Sequence, residues 1–321
     1  MVEPDINPKI THADGSTDKA NRKIQQIAWI VIGLVVVFFL GMGMGYLQWG
    51  RDETAQAKQN AEATKLYEQI SPKEGYKLSV SYGSLGPQLL ESGVISYDAL
   101  AELYKNSGTS LTAEEIEALK NGSDQEIVIT AENARFLLNF FWAVGLANKN
   151  PILTEGPMVQ YSDGKVEGFA STGGWGLATK PVTELYSSLD LIPLTPEQQK
   201  LVEDVASQIY RPCCNNHTLF PDCNHGMAML GIMELMASRG ATADQMLEAA
   251  KYINAFWFPQ QTLETAMFLK MNQDVDFAEA DPKFVVGKEL SSASGFKMVH
   301  ADLQSRGLLQ QAPGQGGGCA N

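Results

Sequence analysis

One short stretch, Arg211 to Gly226 (R-P-C-C-N-N-H-T-L-F-P-D-C-N-H-G), holds three of the chain's four cysteines and two of its four histidines. Pro212 and Pro221 interrupt it, and Asn215, Asn216 and Asn224 favour turns, so the stretch reads as a tight loop rather than a helix or strand. The flanking sequence is helical on both sides. Thr195-Pro-Glu-Gln198 is a helix start with an N-cap, a proline at the first helical position and a glutamine at the third. That helix runs to about Tyr210, and a second one extends over Gly226 to Arg239 with Gly240 at its end. Thr242-Ala-Asp-Gln245 caps a third, which runs to about Phe256. Helices before and after the loop make a rigid frame for a site.

Thiolate and imidazole together suit zinc, copper or iron. Cys213, Cys214, His217, Cys223 and His225 are the candidate ligands. The spacing C-C-x2-H-x5-C-x-H lacks the paired C-x2-C of zinc fingers and the C-x-x-C-H of c-type haem attachment. Cys223 and His225 stand just before a helix N-terminus, where the dipole favours a thiolate. That also suits a thiol-disulfide redox protein, with Cys223 as the low-pKa thiol and Cys213 or Cys214 resolving it. A third reading is a structural disulfide from Cys213 or Cys214 to Cys223, leaving one thiol with Cys319 as its partner. Met229, Met233 and Met236 share one face of the following helix. Core packing is the expected role of such a stripe, and Met227 and Met229 lie nearest the loop.

The chain has 321 residues and a formal charge of −13. The length allows one large or two ordinary domains. The charge excludes a nucleic-acid partner, which needs a basic face. Residues 1–23 are polar and read as a cytoplasmic tail containing His12. Ile27 to Leu47 is an uncharged run flanked by Trp29, Tyr46 and Trp49, and it predicts a transmembrane anchor over 24–49. Arg22 and Lys23 before it orient the N-terminus inward. The expectation is a single-pass, signal-anchored protein of the cell membrane, with most of its chain extracytoplasmic. Gly41-x-x-x-Gly45 offers a surface for a homodimer.

Residues 50–70 read as a helical stalk, and 71–305 as a mainly helical ectodomain carrying the loop at 211–226. Ser96 precedes a short helix at Tyr97 to Tyr104, and Thr112-Ala-Glu-Glu115 is a capping box. Ile127 to Ile129 leads into Ala131 to Lys149, whose aromatic girth predicts the central core helix. Trp142 on it is expected in the core, with ligand lining as the other role. Val159 to Phe169 predicts a small β-hairpin around Asp163-Gly164. The Ser171–Gly176 loop lacks phosphate-loop spacing, and a close approach to the cysteine site is its expected role. Helix is expected again at Pro181 to Ser188 and Leu263 to Lys270, and 306–321 is a Gly/Gln tail. The fold class expected is therefore mostly α, with one N-terminal transmembrane helix, a helical stalk and a small hairpin. No catalytic motif stands outside the cluster, and His300 stands alone.

The order R-P-C-C-N-N-H, a helix, a Gly-Ala-Thr turn and then A-T-A-D-Q-M-L-E-A-A-K-Y-I resembles bacterial lipoproteins with a PCYCGC motif. It is also similar to the membrane-anchored thiol subunit of cytochrome c maturation, although the C-x-x-C of that family is absent and only Cys213 or Cys214 matches its thiol pair. The resemblance covers about 50 residues around the loop. It implies an extracytoplasmic site that handles metal or thiols, with a metal-delivery or redox protein as partner.

Overall fold

The computed structural model describes the backbone of residues 16–309; before residue 61, it describes the side chains of 22, 23, 26, 27 and 29–42 only. Contacts divide the chain into two units, 1–61 and 62–321. The first helix, α1 (Ser16–Ile70), holds the apolar run. The expected membrane span is overturned: among the described residues no helix is long and apolar enough to cross a membrane. The anchor over 24–49 falls with it, and the orientation and extracytoplasmic placement lose their ground. Residues 1–15 with His12, the surroundings of Gly45, and 310–321 with Cys319 lie outside the described residues.

The helical segment expected as a stalk takes part in core packing. Its last turns belong to the second unit, where Ala63, Leu66 and Ile70 are buried at helical spacing. Leu66 and Ile70 enter a core cluster with Leu263, Phe277 and Leu303.

The second unit is mostly helical around one two-stranded sheet. β1 (Tyr76–Gly83) pairs antiparallel with β2 (Ser123–Ile129), Tyr76 opposite Ile129 and Gly83 opposite Ser123. Ser79 has φ 55, and the register shifts between Lys77 and Ser81 around it. Between the strands lie α2 (Leu85–Ser92), α3 (Tyr97–Asn106), capped by Ser96, and α4 (Ala113–Lys120), opened by the Thr112 capping box. The Ile127 stretch is strand, and it leads into the next helix as expected.

The small hairpin at 159–169 is absent. After α5 (Ala134–Ala147) and α6 (Pro151–Thr154), that region forms α7 (Pro157–Ser162), which ends with Asp163 at φ 50 and Gly164 at φ 80. Two consecutive positive φ values serve a type I′ hairpin turn and a left-handed helix cap equally well. Pro157 at the first helical position favours the helix. The short α8 (Ala170–Gly173) and α9 (Val182–Leu185) follow, then α10 (Pro196–Ala206), with the Thr195 capping box in place.

The loop leads into α11 (Asn224–Ser238), in which every residue from His225 to Ala237 is buried. α5 is a core helix as expected, and α11 is a second one packed against it. The two approach closely through glycines. A Cβ on Gly145 would lie 2.1 Å from the Met227 carbonyl oxygen, and one on Gly231 2.8 Å from the Phe141 carbonyl oxygen. Met227, Met229, Met233 and Met236 are buried in the main core. α12 (Ala243–Trp257) carries the Thr242 capping box, and α13 (Pro259–Gln273) follows it. α14 (Pro282–Val285), α15 (Lys288–Ser291) and α16 (Ala293–Ser305) complete the second unit's helices.

Candidate metal centre

The loop is irregular, but its backbone is tied down along its length. The Thr218 N–H donates to the Ile209 carbonyl at 2.8 Å, and Tyr210 and His217 form an isolated antiparallel bridge. The Ala293 N–H at the start of α16 donates to the Cys214 carbonyl at 2.8 Å, and the Ser294 N–H to Asn215 Oδ1 at 2.8 Å. The Ser171 N–H donates to the Asp222 carbonyl at 3.1 Å, so the glycine-rich loop does approach the cysteine site.

Arg211 is the internal post of the loop and is almost wholly buried. Its Nε donates to Cys223 Sγ at 3.0 Å and its Nη2 to Asp222 Oδ1 at 2.6 Å. Its remaining donors reach the carbonyls of Asn216 at 2.9 Å and Phe220 at 3.2 Å. Gly226 makes room for it, since a Cβ there would meet the guanidinium carbon at 2.5 Å. Burial works against the Arg211 charge, but the sulfurs of Cys223 and Cys214, and then Asp222, outweigh it and hold the guanidinium protonated.

Cys223 is the N-cap of α11, and its Sγ accepts from the Gly226 N–H at 3.4 Å. Hydrogen bonds from Cys213 and Cys214 hold its thiol well below the usual range, against burial. The Arg211 charge and a hydrogen bond from His225 add to them. Cys213 is pushed up by its hydrogen bonds with Cys214 and Cys223. For Cys214, the bond with Cys213 pulls down, but the bond with Cys223 and burial prevail and push the thiol up to about 11.

Two groups of ligand atoms form, each within 4.8 Å: Cys213, Cys223 and His225 in one, Cys214, Asp222 and Cys223 in the other. This Cys/His/Asp assembly can hold a metal ion. Cys213 Sγ and Cys223 Sγ are 3.6 Å apart, and all three cysteines are free thiols. His225 is buried against Phe258 and Trp257, at ring distances of 4.4 and 5.5 Å.

Four of the five sequence-derived candidates come together; His217 joins neither group. Its ring stands edge-on to Tyr210, and burial followed by the Arg211 charge lowers its pKa. Sequence reasoning missed Arg211 and Asp222, although both lie inside the loop. The available signal was one cation and one anion inside a cysteine-rich segment otherwise without charge.

No protein-family model, curated protein or solved structure matches this chain.

Proposed function

We propose that this chain binds one transition-metal ion through Cys213, Cys223 and His225, with zinc as the best-suited ion. The convergence of two sulfurs and an imidazole nitrogen within 4.8 Å carries the reading. Two thiolates on one tetrahedral zinc, at ~2.3 Å each, lie ~3.8 Å apart. The 3.6 Å between Cys213 and Cys223 is close to that and narrower than linear two-thiolate copper(I) requires. Arg211 orients the Cys223 sulfur from behind by its hydrogen bond, as an outer-shell partner does. Cys214 or an incoming ligand takes the fourth position. Cys213 is exposed, which suits an ion that is handed on to a partner protein better than one locked in a structural site.

The thiol reading is second, favoured by the contact between a low-pKa Cys223 and a free Cys213. There Cys223 attacks a partner's disulfide and Cys213 resolves the mixed disulfide. It also accords with the thiol handling that the local resemblance implies.

Elemental analysis of the purified full chain separates the two, with thiols counted on reduced and air-oxidised samples. About one equivalent of zinc, lost in Cys223→Ser and in His225→Ala, is the expected result. Absence of metal, with two thiols that disappear on oxidation and return on reduction, replaces the metal reading with the second.

A further inference from the structure

One face of α5 lines a cavity that adjoins the cysteine loop. Arg135, Leu138, Asn139 and Trp142 recur at helical spacing and line a cavity of about 450 Å³, which Trp175 and Asn224 also line. That volume is in the range of small-molecule sites, ~300–1,000 Å³, and the composition is also typical of them: apolar and aromatic walls with few polar groups.

The two indoles meet edge to face at 4.9 Å. Each has its N–H already engaged, Trp142 with the Ser171 carbonyl at 2.6 Å and Trp175 with the Val94 carbonyl at 2.9 Å. Their orientation is therefore set before any ligand arrives, and what remains for one is ring surface. Arg135 donates to the Ser107 hydroxyl and lies over the Tyr104 ring at 5.0 Å. Among the described residues no carboxylate forms an ion pair with it. No other cation lines the cavity.

We infer that this cavity binds a small organic anion whose single carboxylate pairs with Arg135 and whose apolar or aromatic body lies against Trp142 and Trp175. A lone guanidinium matches one carboxylate in a planar, two-point arrangement. A phosphate would call for further cations or a cluster of backbone N–H groups. The inference stands apart from the metal reading, although the two sites adjoin. Asn224, which lines the cavity, lies in sequence between Cys223 and His225.

The test is a titration of the full chain with phenylacetate and, separately, with uncharged phenylacetamide, followed by tryptophan fluorescence. Saturable change with phenylacetate at roughly tenfold lower concentration than with phenylacetamide is expected, given the worth of a hydrogen bond to a charged group. Arg135→Gln should erase that preference, while Arg135→Lys keeps part of it and shows that the charge rather than the fold was lost. No saturable response to either compound overturns the inference, as does a preference that survives Arg135→Gln.

Discussion

Two buried ionisable groups sit near α11 and end in opposite states. Arg211, under the cysteine loop at the helix's N-terminal end, is surrounded by a carboxylate, thiols and carbonyls, and it stays charged. Glu234, within the helix, is fully buried and meets only carboxamides: Asn148 Nδ2 donates to it at 3.0 Å and Asn150 Nδ2 at 2.6 Å. Burial dominates there, and its pKa is pushed up to about 8 despite those two bonds. Equal burial thus yields a fixed cation in one place and a neutral acid at physiological pH in the other. The partners decide. A buried charge is retained where opposite charge and several hydrogen bonds surround it, and is otherwise discharged by a pKa shift.

The largest test of that contrast is Arg211→Met. It leaves Asp222 and the Cys223 sulfur without their cation in a partly buried loop, and should cost about 3–5 kcal/mol in chemical denaturation. In metal-free protein it should also raise the pH midpoint for alkylation of Cys223 toward ~8.5. Wild-type stability with an unchanged midpoint would mean that Arg211 is a packing residue only.

Glu234 gives the next largest effect. Its folded pKa lies above the unfolded value, so its contribution is complete below ~4.3 and is lost as pH rises through about 8. The wild type should therefore lose stability progressively between about pH 4.3 and 8, and Glu234→Gln should remove most of that slope in urea unfolding. A slope equal in both proteins would place the buried charge elsewhere.

The smallest effect is expected from His217→Gln. His217 joins neither ligand group, so metal affinity should change by less than about twofold, inside the scatter that the loss of a ligand would far exceed. A hundredfold loss in competition with a chelator would put His217 back among the ligands.

Much of the frame was readable because its signals are local. The capping boxes at Thr112, Thr195 and Thr242 all formed, since a cap needs only residues three apart. Asp163-Gly164 misled because its local preference is shared by a hairpin turn and a helix cap. β1 and β2 escaped notice because strand pairing joins Tyr76 to Ile129 across the whole of α2 to α4. The cavity face on α5 is visible as a spacing, but nothing in that spacing tells core from ligand wall until Trp175 arrives from another segment.

The residues by themselves determined where thiol and imidazole chemistry concentrates, and that a helix begins just after Cys223, because both depend on neighbours in the chain. Only the tertiary structure decided which of them meet. Arg211 must turn inward over Gly226 before it can hold Cys223 and Asp222, and Cys213 reaches Cys223 only across the loop that this buried cation braces. Coulombic pairing in a dry interior depends on distance in space, which sequence separation does not encode.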